Sequence, residues 1–402
     1  MSFLYDDALF EALERVYGED LDSFLDAVSR PGSRLYFRVN TLRIDPGELI
    51  DSLRARGLDV RRDEELPEAL YVPVQGPFEI ERLELCVLVD KRAAESILLG
   101  ANLYAPGVRW CDPRIRRGDE VSILGPGGIL VANGIAAMSC EEMLRSRHGL
   151  AVEVVRSRYR APCLRSLPEF EKGLIYPQSL PAIYVSRILD PQPNDLVVDM
   201  CAAPGGKTGH IVELSRGRAT IYAFDHSKSK IEELRNEMRR LGHLDLVHVE
   251  RRDSRYLHLD LPTLRPTKVL VDPPCTALGV RPKVLDVKTW RDVVSSARYQ
   301  VQFLWTALRI ARVGARIVYS TCTVTVEENE LLVELIAEKC RCVEIEKIEV
   351  RRFSRGVWGA HSDSYVRVHP HLHDATGYFI ASLRKICDEI PSSRVFQESL
   401  RL

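Results

Sequence analysis

A chain of 402 residues with 45% hydrophobic and 28% charged side chains is too long for one ordinary core and has the balance of a globular protein with two or three domains. No apolar run approaches the ~18 residues of a membrane helix. An N-terminus carrying Asp6, Asp7 and Glu11 is unlike a signal or transit peptide, so a cytoplasmic protein is expected. The net charge of −1 hides an asymmetry of −10 over residues 1–90, +5 over 91–165 and +4 over 166–402. A basic middle points to a polyanion partner, against the plainer reading of a solvated face. The ten cysteines include no Cys-x-x-Cys pair, so no metal is expected. A core of this size needs no disulfide scaffold, and most of the thiols read as inert packing.

In chain order, residues 1–88 read as a small α+β region. Leu9, Leu13, Val16 and Tyr17 share one helical face, and Leu21, Phe24, Leu25 and Val28 continue the spacing. A strand over 35–40 and a helix from Gly47 to Arg56 follow, with no catalytic cluster. Residues 89–165 change character: short strand-like pieces are separated by glycine turns such as Arg117-Gly118-Asp119 and Asn133-Gly134, which suggests a β-barrel. The period of two puts Arg156, Arg158 and Arg160 on one strand face, and Arg114, Arg116 and Arg117 form a second group. Arginine forks suit phosphate oxygens, but charge also protects a strand edge. Residues 166–387 form the third segment. From 190 onward, strands at 196–200, 219–224, 245–250, 268–272, 315–320, 342–349 and 377–384 alternate with helices at 207–215, 228–241, 297–311 and 326–338. This predicts an α/β fold, a doubly wound, mainly parallel sheet with ligands at its carboxyl edge. Residues 388–402 read as a polar tail.

The chemistry sits on three loops. Cys201-Ala202-Ala203-Pro204-Gly205-Gly206-Lys207 follows an apolar strand and opens a helix, the pattern of a ligand cradle in which glycine lets the backbone approach. Asp225 ends the second strand, where it suits ribose hydroxyls or an Asx turn before the next helix. Asp253 follows the third strand, as an adenine-amino acceptor or a surface acid. Asp272 and Cys275 end the fourth strand in Asp-Pro-Pro-Cys, and Cys322 ends the fifth in Ser-Thr-Cys. Two cysteines and an aspartate at neighbouring strand ends suggest covalent catalysis. Methylation of cytosine carbon 5 fits: a thiolate adds to carbon 6, carbon 5 becomes nucleophilic, and an acid near ring nitrogen 3, a carboxyl group poised to donate a proton, stabilises the charge that develops.

These loops resemble those of the Nop/Sun (RsmB-like) RNA cytosine-5 methyltransferases. The resemblance implies a class I, Rossmann-like domain in which Cys201 to Lys207, Asp225, Asp253 and Asp272 bind S-adenosylmethionine. Cys322 is then the nucleophile and Cys275 assists product release. Asp272 also faces the cytosine, Lys207 contacts the target nucleotide, and Arg281-Pro282-Lys283 lines the substrate pocket. Arg38-Val39-Asn40-Thr41-Leu42 resembles the family's N-terminal RNA-binding region, and Lys91 to Val108 with Gly118 to Val121 and Val131 to Ser139 resembles a PUA domain. The branch carrying an inserted PUA barrel acts on tRNA position 72 in the acceptor stem, beside the 3′ CCA end. A monomer is expected. The same chemistry on ribosomal RNA, DNA methylation through Cys275, and a non-catalytic RNA-binding protein are the competing readings.

Overall fold

The pleat of one strand, Leu196–Asp199, sets the architecture of the largest layer: Val197 faces one sheet of helices and Val198 the other. The computed structural model describes residues 2–400. The strand lies at the centre of a sheet ordered Val247–Arg251, Thr220–Asp225, Leu196–Asp199, Lys268–Val271, Arg316–Thr321, Tyr378–Lys385 and Val343–Glu346. The first four junctions are parallel and the last two antiparallel. Helices Leu180–Leu189, Gly206–Leu214 and Lys228–Leu241 cover one face through Ile183, Ile211, Leu234 and Met238. Trp290–Ile310 and Glu330–Lys339 cover the other through Leu304, Leu308, Leu332 and Ile336. This is the doubly wound sheet expected, with its switch point beside the central strand, where the chain reverses its direction of winding.

Two details differ from the sequence reading. The long helix begins at Trp290 rather than 297, because Thr289 and Asp292 form a capping box that starts it two turns earlier. The polar tail is a helix, Ser393–Ser399, whose Phe396 is buried with Leu400 beyond it, packed into the second core. Trp305 Nε1 donates to Pro391 O at 2.8 Å.

The N-terminal residues make two structures. Arg34–Val39, Ala69–Pro73 and Arg61–Arg62 pair with Ile175–Pro177, a strand from beyond the barrel, so one sheet brackets the insertion. Helix Pro46–Ala55 packs on it through Leu49 and Leu53, with Asp45 capping its first turn. The helices Asp7–Tyr17 and Leu21–Ser29 do not join that sheet. Their apolar face (Leu9, Leu13, Phe24, Val28) buries Leu278, Val293 and Val324 of the doubly wound layer, and Ser2–Tyr5 pairs in parallel with Leu285–Lys288.

The barrel comprises Cys86–Val89, Leu103–Tyr104, Val108–Cys111, Glu120–Leu124, Leu130–Ala136 and Leu150–Ser157, with helix Lys91–Ile97 across one end. Gly134 is required where strands cross: a Cβ there would lie 2.2 Å from Glu153 O. The barrel is tied to the catalytic layer at Asp286, which accepts from Tyr5 Oη at 2.9 Å, Lys91 Nζ at 3.1 Å and Lys283 Nζ, one donor from each part of the chain.

The thiols correct the expectation of inert packing. Cys111 is bonded to Cys140 and Cys342 to Cys387, pairing strand and helix ends 29 and 45 residues apart; Cys86, Cys163, Cys201, Cys275, Cys322 and Cys340 are free. Loops of this size confer about 3–4 kcal/mol each on the chain-entropy account. Reduction of the folded protein is therefore expected to lower its melting temperature by several degrees in calorimetry, with Cys111→Ala/Cys140→Ala reproducing part of the fall.

Candidate active site

The carboxyl ends of the five central strands converge on a cavity of about 230 Å³. Of the residues expected to hold a cofactor, Cys201, Ala203, Asp225, Asp253 and Asp272 line it; Ala202, Pro204, Gly205, Gly206 and Lys207 shape the loop outside that lining. The glycines are also crowded by protein. A Cβ on Gly205, whose φ is +116°, would meet Met238 Cε at 2.8 Å, and one on Gly206 would meet the Tyr176 ring at 2.7 Å. The loop is thus folded tightly against helix Lys228–Leu241 and the N-terminal sheet.

Asp225 makes the Asx turn considered for it. Its Oδ1 accepts from Ser227 N at 3.1 Å before the next helix, and the carboxylate still faces the cavity. Asp253 is held by Arg255, whose Nη2 lies 2.6 Å away, and this pairing keeps its carboxyl below the usual range. Tyr299 and Phe303 supply an aromatic wall that the sequence reading did not identify. Asp199 accepts from Thr208 Oγ1 at 2.7 Å, and its other oxygen is buried without a partner among the described residues; burial raises its pKa to about 7. Carboxylates for hydroxyl and amino groups, an aromatic wall for a base and acidic surroundings for a cation fit an adenosyl sulfonium compound.

Deeper in, Asp272 is fully engaged. Its Oδ2 accepts from Lys207 Nζ at 2.6 Å, and its Oδ1 from Ser320 Oγ at 2.7 Å and Tyr378 Oη at 3.4 Å. Burial alone would depress the Lys207 ammonium, but Asp272 outweighs it and holds the pKa well above the ordinary value. Beside this cluster the sulfurs of Cys275 and Cys322 are 3.4 Å apart. The contact splits the two thiols: it lowers Cys322, while the same contact, with burial, pushes Cys275 well above its usual range. Removing that contact in Cys275→Ala should therefore raise the Cys322 pKa. The pH midpoint of Cys322 alkylation, followed by peptide mass spectrometry, is expected to move upward in that variant.

The family model for RsmB/F 16S rRNA methyltransferases matches residues 186–384, with a PUA domain model over 86–157 and an RsmF/B-like ferredoxin-like domain model over 5–79. A tRNA (cytosine(72)-C(5))-methyltransferase of Pyrococcus horikoshii is 41% identical over 384 residues, covering 94% of this chain and 97% of the relative. The chain belongs to the RsmB/F methyltransferase family. The mouse tRNA (cytosine(72)-C(5))-methyltransferase NSUN6 is 27% identical, covering 89% of this chain and 82% of the relative. The crystal structure of NSun6 from Pyrococcus horikoshii with SFG, an S-adenosylmethionine analogue, superposes with a TM-score of 0.89 at 40% identity over 96% of this chain and 99% of that one. This RsmB/F-family protein is accordingly an S-adenosylmethionine-dependent methyltransferase with an N-terminal ferredoxin-like domain and an inserted PUA domain. No helix among the described residues is long and apolar enough to cross a membrane.

Several residues expected to face RNA in this family member do something else. Arg38 is wholly buried: it clasps Glu213 at 2.7 and 2.9 Å and donates to Gly206 O at 2.8 Å, while Asn40 donates to Gly173 O and Leu241 O. The Arg38-to-Leu42 stretch therefore begins as an interdomain wedge under the cofactor loop. Arg281 donates to Arg30 O, Pro31 O and Asp374, clamping the N-terminal helices to the catalytic layer. Lys283 is buried against Asp286. Arg114 is paired with Glu84 and Asp112, and Arg116 with carbonyls of its own turn. Arg114 and Arg116 nonetheless stay exposed, as do Arg156, Arg158 and Arg160, which alternate with buried Ser157 and Tyr159 as the period of two required. Arg156 and Arg160 line a groove of about 930 Å³ between the barrel and the N-terminal sheet, with Gln75 and Phe78. The site residues missed from sequence are Ser320 and Tyr378 on Asp272, and Tyr299 and Phe303. Tyr378 was within reach, because strand alternation puts it on the same face as Ile380, opposite Phe379.

Proposed function

We propose that the protein methylates carbon 5 of cytosine 72 in the acceptor stem of tRNA, beside the 3′ CCA end, through a transient bond from Cys322 to carbon 6 of the base. The observation that carries the chemistry is the Cys275–Cys322 contact, which sets two thiols side by side at neighbouring strand ends next to the Lys207–Asp272 pair. The substrate reading rests on the 41% identical relative, named for that activity and matched over nearly its full length.

Cys322 sulfur adds to carbon 6, and its electron pair displaces the ring double bond toward carbon 5 and the nitrogen 3 edge. Asp272 accepts from three donors, so the positive charge offered beside it is that of Lys207. Bound S-adenosylmethionine supplies an electrophilic methyl group to carbon 5, held by Asp225, Asp253 and the Tyr299–Phe303 wall. A base then removes the carbon 5 proton, the double bond re-forms, and the sulfur leaves carbon 6. The Cys275 S–H, restored as a donor to the departing thiolate, assists this release. A DNA-type arrangement with Cys275 as nucleophile is disfavoured by the PUA domain over residues 86–157 and by the tRNA methyltransferase relative that covers 94% of this chain.

Cytosine 72 sits at the last pair of a stem, where opening costs only a few kcal/mol. The stem would reach the site along the barrel face carrying Arg156, Arg158 and Arg160. Charge reversal at Arg158 and Arg160 is expected to weaken binding of unmodified tRNA transcript by about tenfold or more and to reduce the salt slope by about 0.9 for each phosphate that is no longer neutralised. S-adenosylmethionine affinity should stay unchanged by calorimetry. Unchanged tRNA affinity and slope would remove this face from the proposed RNA path.

A further inference from the structure

The two thiols of the proposed mechanism sit on different loops, and their 3.4 Å spacing requires those loops to be held in register. We propose that Glu328 is the positioning residue that sets this spacing, an inference that rests on the thiol roles given above. Glu328 is completely buried, with no basic partner in its hydrogen-bond shell. Its Oε2 accepts from Thr276 N at 3.0 Å and from Gln300 Nε2 at 2.8 Å; its Oε1 accepts from Thr276 Oγ1 and, at 3.4 Å, from Thr325 Oγ1.

Thr276 directly follows Cys275, and Gln300 also donates to Pro274 O at 2.9 Å, so the carboxylate fixes the chain on both sides of that cysteine. The link to the other loop is a hydroxyl pair: Thr276 Oγ1 and Thr323 Oγ1 are 2.6 Å apart, and Thr323 directly follows Cys322. Asn329, the next residue after Glu328, donates to Thr323 O at 3.2 Å and accepts from Thr321 Oγ1, bracketing Cys322 from both sides. Four donors converge on one side chain, and only a carboxylate offers acceptors at both ends. An amide of the same shape would turn one acceptor into a donor facing Thr276 or Gln300. The cost of burying the group is then offset by order in the loops that carry the chemistry.

The test compares wild type, Glu328→Gln, Thr276→Val and Cys275→Ala, using labelled S-adenosylmethionine and an unmodified tRNA transcript. Glu328→Gln is expected to bind S-adenosylmethionine within twofold of wild type and to keep its tRNA KM, while its single-turnover methylation rate falls at least tenfold. A covalent protein–RNA species should accumulate on denaturing gels, as in Cys275→Ala, because the displaced thiol no longer supports release. Thr276→Val should shift rate and adduct in the same direction. Wild-type rate without adduct in both variants would overturn the proposal. So would loss of stability and cofactor binding with the remaining folded fraction turning over at the wild-type rate, which would make Glu328 a folding element only. If Cys275→Ala itself forms no adduct, the assigned thiol roles fail, and the single-turnover comparison still decides the role of Glu328.

Discussion

Alanine at position 322 is expected to lower methyl transfer by ~10⁴-fold or more, because the reaction loses its only means of making carbon 5 nucleophilic. The variant should fold and bind S-adenosylmethionine as wild type does, since Cys322 lines the cavity and, among the described residues, its side chain makes no hydrogen bond outside the thiol pair. Alanine at position 275 should behave differently. Its nucleophile is intact, so the addition and methylation steps proceed, and RNA remains attached to Cys322. The contrast between an inert variant and a trapped one follows from the different roles proposed for the two thiols. Single-turnover assays with denaturing-gel detection separate the two.

Arg38→Ala is expected to be the most destabilising single change in the N-terminal region. Arg38 and Glu213 are buried together, with His243 Nε2 3.3 Å from the same carboxylate. Burial would raise the Glu213 carboxyl, yet Arg38 and His243 outweigh it and hold it below the usual range. Removing the guanidinium strands that charge and frees Gly206 O. The cost of breaking such a pair is about 3–5 kcal/mol, equivalent to a fall in melting temperature on the order of 10 °C. Because Gly206 opens the helix behind the cofactor loop, S-adenosylmethionine binding should weaken in the same variant. The linkage has a pH sense: with the folded pKa depressed, the contribution is present above the unfolded carboxylate pKa and is lost as pH falls through the folded one. The melting temperatures of wild type and Arg38→Ala should therefore converge in acid.

Much of this was readable in the chain. Parallel strands buried on both faces read as short apolar runs, so Val197–Val198 and Val269–Val271 located the sheet and the three loops at its edge. The Pro-Cys and Thr-Cys signatures then brought Cys275 and Cys322 to neighbouring strand ends, and the 3.4 Å contact confirms that they meet. What sequence did not distinguish was the partner of each arginine. Arg38, Arg281 and Arg158 have identical chemistry, but two are drawn into buried carboxylates and carbonyls by contacts hundreds of residues away, and one is left in solvent. The glycines of the cofactor loop were assigned to ligand approach, and Tyr176 and Met238, packed against the same positions, give a second reason for them that sequence did not show. The disulfides were missed because Cys111–Cys140 and Cys342–Cys387 are brought together by tertiary packing and carry no spacing signature. Glu328, too, reads as one acid in a polar run until its hydroxyl partners are seen.

The most direct test maps the methyl group. Wild type and Cys322→Ala would be incubated with labelled S-adenosylmethionine and unmodified tRNA transcripts, and the labelled nucleotide located by nuclease mapping. Label confined to cytosine 72 with wild type and absent with Cys322→Ala is the predicted result. Label at another position, label only in ribosomal RNA, or full labelling by Cys322→Ala would contradict it.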